Sequence, residues 1–229
     1  MTLNRIARLA LAEQSGSADG VSRRTFLRAA AAAGGGLMLS LRLPSAGRDA
    51  AAAGTDGFAP NAFIRIATDG EVVLTMPYVE MGQGTYTSIP MLIAEELEVD
   101  LEQVRLEHAP PIEKLYSNPL IGGVQATGNS NAIRGAWQPL RQAGAAARTM
   151  LVSAAARRWN VDPASCRAQS GEVLHVPTGR SNKYGALAAD AARMPVPENV
   201  ALKRPQDFKL IGTPAKRLDA PAKINGTAV

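Results

Sequence analysis

An α+β fold, built from mixed and antiparallel sheet segments with packed helices, is what this sequence predicts. The order of its periodicities runs strand, strand, helix, strand, loop, helix, strand, strand, helix. It does not alternate strictly, as a doubly wound parallel sheet would require. A second observation is the stretch from Asn131 to Trp159, where Ile133, Trp137, Leu140, Gly144, Ala147, Leu151, Ala154 and Arg158 recur at spacings of three and four. That stripe is small and apolar, so it predicts a long helix lying close against another element. No internal repeat competes with this reading.

The elements follow in order. Residues 54–61 cluster Gly, Asp and Pro and read as a linker. Phe63–Ile66 and Val72–Met76 flank Thr68-Asp69-Gly70-Glu71, an Asp-Gly turn that predicts a hairpin. A polar glycine-bearing loop covers 78–87. Ile89–Val99 reads as a helix with Ile89, Leu92, Ile93 and Leu97 inward, Glu95, Glu96 and Glu98 largely outside that face, and Pro90 in its first turn. Val104–His108 is a strand, and residues 109–128 are irregular, with three prolines. Asn160 stops the long helix. Short strands near Cys166–Ala168 and Val173–Val176 flank the turn Ser170-Gly171-Glu172. Tyr184–Arg193 is an Ala-rich helix, and 194–229, with five prolines, is an extended tail.

Charge is unevenly placed. The formal net charge is +5, but residues 1–50 hold seven arginines against three acids, which leaves the remainder nearly neutral. No basic cluster interleaved with aromatics occurs there, so no nucleic-acid partner is expected. The one cysteine, Cys166, excludes an intrachain disulfide and a cysteine-ligated iron–sulfur cluster. His108 and His175 lie apart, without metal-ligand spacing, and read as structural; no metal site is expected from these side chains.

The N-terminus reads as an address. Ser22-Arg23-Arg24-Thr25-Phe26-Leu27-Arg28 meets the twin-arginine export pattern at every position. An apolar stretch from Ala29 to Leu43, too short and too rich in Ala and Gly for a comfortable membrane span, precedes Ala51-Ala52-Ala53. Residues 1–53 are therefore assigned to signal and linker, and 54–229 to the folded part. The expected location is the periplasm or the periplasmic face of the inner membrane.

Two loops could carry chemistry. In Glu80-Met81-Gly82-Gln83-Gly84-Thr85, two glycines let the backbone approach a ligand, and the Gln83 carboxamide offers a donor and an acceptor. A plain glycine turn between strand and helix accounts for the same residues. In Gly122-Gly123-Val124-Gln125-Ala126-Thr127-Gly128-Asn129-Ser130-Asn131, small polar residues run into the long helix, whose free N–H groups form a ready anion site. Ordinary capping by Asn129 or Ser130 is the competing account. No Walker-type lysine follows.

Together these loops carry a resemblance. Met81-Gly82-Gln83-Gly84, about 40 residues before Ala126-Thr127-Gly128-Asn129-Ser130, resembles the molybdopterin-binding part of the xanthine dehydrogenase and aldehyde oxidase superfamily. Met91-Leu92-Ile93-Ala94-Glu95-Glu96-Leu97, the segment Trp137–Ala146 and Lys209-Leu210-Ile211-Gly212 narrow it to the N-terminal portion of the isoquinoline 1-oxidoreductase large (beta) chain and aldehyde dehydrogenase group. The resemblance implies a molybdenum hydroxylase large subunit acting on N-heterocycles or aldehydes. It implies a molybdenum–molybdopterin cofactor in dinucleotide form. Met81, Gly82, Gln83 and Gly84 would lie against it, with Gln83 near the metal's ligands, and Gln125, Ala126, Thr127, Gly128, Asn129 and Ser130 would contact the pterin and phosphates. The implied partners are a small iron–sulfur subunit, the remainder of the large subunit and a cytochrome electron acceptor.

One departure bears on activity. The family's catalytic base is a Glu in a Gly-x-Gly-Glu-type segment near the C-terminus of the large subunit, and these residues contain none. Glu80, Glu95 and Glu96 read as structural or solvated instead, so no catalytic residue is assigned and no turnover by the chain alone is expected. Lys223-Ile224-Asn225-Gly226-Thr227-Ala228-Val229 reads as the start of a turn and strand, which fits a fragment or one chain of a split protein. An exported accessory chain, an exported anion-binding protein without metal, and a truncated reading frame stay open as rivals.

Overall fold

The computed structural model describes Leu37–Ser40 and residues 62–228, Glu198 excepted. Arg23 and Arg24, expected to belong to an export signal, lie outside the described residues. The first sheet has the order β1 (Leu37–Ser40), β2 (Ala62–Ile66), β3 (Val72–Met76), β4 (Val104–His108). The first two pairings are antiparallel and β3–β4 is parallel. β1 falls inside the apolar stretch assigned above to the export segment, and its backbone extends the sheet into that stretch. The β2–β3 hairpin forms as its Asp-Gly turn predicts, with Gly70 at φ 94°.

Helix α1 (Thr85–Leu97) connects β3 to β4. It begins four residues before the expected Ile89, so Pro90 stands inside it rather than in its first turn. The cause lies upstream: a carboxylate four residues before the N-cap caps the helix, as described below. After the one-turn helix α2 (Glu113–Tyr116), the long helix α3 (Ala132–Trp159) ends at Asn160 in the left-handed conformation, as expected. Its small stripe does what such a stripe can do. A Cβ on Gly144 would stand 2.8 Å from the Ile93 carbonyl oxygen, so the absence of a side chain there lets α3 lie directly on α1. Leu140, Ala147, Leu151 and Ala154 of the stripe are buried in the core; Ile133, Trp137 and Arg158, at its ends, are not fully buried.

A second, three-stranded antiparallel sheet follows, in the order β5 (Cys166–Gln169), β6 (Glu172–His175), β7 (Ser181–Lys183). Helix α4 (Tyr184–Ala191) leads back to the first layer, where the buried Tyr184 hydroxyl donates to the Leu97 carbonyl at 2.7 Å. The tail runs extended over α1 and closes with a short helix, α5 (Ala220–Ile224).

The tail decides between the structural and solvated readings of two carboxylates in favour of the structural one. Glu95 and Glu96 are 1% and 0% exposed rather than solvated. Glu95 accepts the backbone N–H groups of Lys209, Leu210 and Ile211 and the Lys203 ammonium. Glu96 takes Arg141 through two guanidinium nitrogens and the Lys203 N–H. Period alone placed these carboxylates outside the apolar face. A strap more than 100 residues away covers that side and supplies their hydrogen bonds, which a buried charge requires.

Candidate active-site loops

The loop 79–84 is folded around one side chain. Glu80, whose side chain is 3% exposed, accepts the N–H groups of Gly82 (2.7 Å) and Gly84 (3.0 Å) on one oxygen and that of Tyr86 (3.0 Å) on the other. Gly82 and Gly84 hold φ of 100° and 87°, a backbone that favours glycine. Gly84 is the N-cap of α1 but offers no side-chain cap; the Glu80 carboxylate satisfies an N–H of the first turn and sits favourably at the positive end of the helix dipole. Burial pushes the Glu80 carboxyl up, but the N–H groups of Gly84, Tyr86 and Gly82 and the charge of Arg217 outweigh it and bring it to about 2. Glu80 is thus an ionised anchor, and the carboxylates of Glu95 and Glu96 are engaged by Arg141 and the tail rather than turned to a ligand.

Met81 is 66% exposed, and Gln83 is exposed too. The Gln83 carboxamide is turned onto its own loop, accepting the Met81 N–H and donating to the Val79 carbonyl at 2.9 Å.

The second loop is held by buried amides. Asn118, fully buried, donates through Nδ2 to Asn131 Oδ1 (2.7 Å), and its Oδ1 accepts the Leu120 N–H. Its backbone pairs with Val124. Asn129 and Ser130 both stand at positive φ, 54° and 50°, and are exposed. Neither caps α3. The N-cap is Asn131, without a side-chain cap hydrogen bond, so the capping account of these residues does not hold.

The two loops meet. The Val79 N–H donates to Thr127 Oγ1 at 2.9 Å. Pro77 and Val79, leading into and opening the first loop, and Gln125, Ala126 and Thr127 from the second line an open cleft of about 660 Å³ together with Ala109, Pro111 and Glu113. Among the described residues, three buried side-chain polar atoms lack a partner: Tyr78 Oη, Gln125 Oε1 and Asn131 Nδ2. All three belong to these loops or their immediate flanks. Burial pushes the Tyr78 hydroxyl up to about 12, so it stays a donor. Elsewhere the same fold satisfies its buried carboxylates completely, and an unpaired buried polar atom costs about 1–3 kcal/mol. Of these three residues only Gln125 lines the cleft; Tyr78 and Asn131 are each 2% exposed.

Other candidates are bound into the fold. His175 Nδ1 pairs with the Thr178 hydroxyl at 2.7 Å, and the His108 ring meets the Tyr86 hydroxyl. Among the described residues no group of three or more His, Cys, Asp or Glu side chains could hold a metal ion. No described helix is long and apolar enough to cross a membrane.

The profile of the molybdopterin cofactor-binding domain matches residues 22–223. The chain belongs to this family. It is 37% identical over 202 residues to the beta chain of the isoquinoline 1-oxidoreductase of Brevundimonas diminuta, covering 74% of this chain and 26% of that protein. It is 33% identical over 220 residues to the membrane-bound aldehyde dehydrogenase [pyrroloquinoline-quinone] of Gluconacetobacter polyoxogenes, covering 91% of this chain and 27% of that one. One of the subunits of the nicotinate dehydrogenase of Pseudomonas putida is 29% identical over 170 residues, 72% of this chain and 13% of its own length. The chain therefore spans about a quarter or less of these relatives. The molybdopterin-binding match takes in both loops and the tail as far as Lys223.

The sequence alone does not reveal Glu80 as an anchor, Tyr78 and Asn118 as buried polar residues next to the loops, or Arg217. Glu80 had one local signal, a carboxylate two residues before the first glycine of a Gly-x-Gly turn. Arg217 had none, since it joins the site across 137 residues.

Proposed function

We propose that this chain is part of a molybdenum hydroxylase large subunit, exported by the twin-arginine route, whose loops 81–84 and 125–130 hold the molybdopterin cofactor. The observation that carries the reading is the joining of both loops, Val79 to Thr127, beside a cleft that Val79, Gln125, Ala126 and Thr127 line and at which Gln125 keeps its Oε1 unpaired. The fit is chemical. A pterin ring edge presents N–H donors as well as oxygen and nitrogen acceptors, and Gln125, in the cleft lining, keeps one acceptor, Oε1, unpaired. The positive end of α3, 28 residues long, lies beside the second loop and favours a phosphate-bearing form of the cofactor.

When bound, the cofactor supplies the redox centre for oxidising an N-heterocycle or an aldehyde. This chain's residues hold and orient it. Gln125 offers Oε1 from the cleft wall while its Nε2 stays on the Pro110 carbonyl at 3.0 Å. Gln83 is exposed, so its carboxamide turns outward to a ligand by exchanging two bonds within its own loop. The base for the reaction, the iron–sulfur clusters and the electron acceptor belong to other parts of the assembly in this proposal.

The test is molybdenum and pterin per polypeptide in the intact protein, purified from its own cells with its partners. Near-stoichiometric values of both are expected. A folded protein with neither overturns the proposal, and a bound quinone in their place redirects it to the chemistry named for the Gluconacetobacter relative.

A further inference from the structure

We infer that Arg217 is a positioning residue for the cofactor loop, acting from the tail through the Gly82–Gln83 peptide; this rests on the functional reading above. From the distant tail, Arg217 grips both the loop's anchor and its backbone. One guanidinium nitrogen donates to Glu80 Oε1 at 2.9 Å and another to the Gly82 carbonyl at 3.1 Å. The guanidinium is fixed in turn by Asp219, bidentate at 3.0 and 2.9 Å, and Asp219 also takes the Lys223 ammonium. The neighbouring Leu218 N–H donates to the Thr87 hydroxyl at 3.0 Å and ties the same segment to the first turn of α1. A planar fork with donors in fixed directions is what such a four-acceptor site needs; a lysine ammonium cannot satisfy Glu80, Gly82 and both Asp219 oxygens at once.

The geometry has a directional result. A trans peptide sets its carbonyl and its N–H on opposite sides of the chain, in one plane. Pulling the Gly82 carbonyl toward Arg217 therefore turns the Gln83 N–H away from the clamp. None of the described hydrogen bonds engages that N–H. Glycine at 82 leaves this peptide freer to rotate, so without the clamp the loop keeps its anchor at Glu80 but loses the fixed direction of its central amide. Arg217 thus sets where the loop points, and touches no ligand itself.

The experiment compares molybdenum and pterin per polypeptide in intact wild type, Arg217→Ala and Arg217→Lys, with melting temperature and hydrogen exchange of the 79–86 segment measured alongside. The expected result is at least a fivefold loss of cofactor in Arg217→Ala, faster exchange confined to that segment, little recovery in Arg217→Lys, and partial recovery when millimolar guanidinium is present while the Ala variant is loaded. Cofactor content in Arg217→Ala equal to that of a loaded wild type overturns this inference and leaves the functional reading standing. A folded wild type without molybdenum or pterin overturns both. If Arg217→Ala does not fold, Asp219→Asn decides, because that side chain reaches the loop only through Arg217: a two- to threefold loss supports the inference and an unchanged content overturns it.

Discussion

The backbone N–H of Val79 and the hydroxyl oxygen of Thr127, 48 residues apart in the chain, are joined by a 2.9 Å hydrogen bond that makes one site of two loops. Val79 itself is half exposed, so this bond adds little to global stability. Thr127→Val keeps the shape and removes the acceptor. The expected cost is about 1 kcal/mol in urea unfolding, the usual net worth of one hydrogen bond. Cofactor content should fall much further than that change in stability accounts for, and Thr127→Ser should retain both.

Glu80 predicts a pH dependence with a definite sign. Its carboxyl is held at about 2 in the folded protein against an ordinary value of 4.5. A lowered folded value means that its contribution is fully present above pH 4.5 and is lost as pH falls toward 2. Wild type and Glu80→Gln should therefore differ most in thermal stability above about pH 5, and their curves should converge on acidification. A gap independent of pH would mean that the charge is not what matters. Asp219, drawn below its usual range by Arg217 and Lys223, shifts in the same sense, so the Asn variant provides the control.

The carboxylates under the tail predict a larger effect. Arg141 is buried against Glu96 at 2.6 Å. Glu96→Ala leaves that guanidinium without its charge partner, at an expected cost of about 3–5 kcal/mol. The double variant Glu96→Leu with Arg141→Met removes both charges and should recover most of it. Chemical denaturation of the three proteins checks this, and limited proteolysis should find the 201–212 strap cut first in Glu96→Ala.

Gly144 tests the helix crossing. An added Cβ would press on the Ile93 carbonyl, a backbone atom that cannot swing aside. Gly144→Ala gains about 1 kcal/mol of helix propensity but should still be net destabilising, because overpacking costs about 1–3 kcal/mol. A more stable variant would show that the two helices separate easily.

Much of this was readable in the sequence wherever the determinant was local. The Asp-Gly hairpin, the strand Val104–His108, the long helix to Asn160 and the turn at Ser170-Gly171 each follow from periodicity and turn residues a few positions apart. What escaped was set by distant chain. Ser181–Lys183 is a polar strand with no alternation to betray it, formed because it pairs with β6. α1 starts early because Glu80 caps it from outside the helix. Glu95 and Glu96 look like a solvated helix face until the tail is laid over them. The candidate site divides in the same way: its glycines and small polar residues are visible as motifs, while Arg217, Asn118 and the Tyr78 hydroxyl join it only through the fold.

The central claim is that both loops close on one cofactor. Amide hydrogen exchange of the intact, partner-bound protein, loaded and then stripped of its metal and pterin, tests it most directly. Residues 79–86 and 124–131 should slow together when the cofactor is present, with the Val79 amide among the most affected. Exchange that is unchanged in both segments, or slowed in only one, would contradict the account.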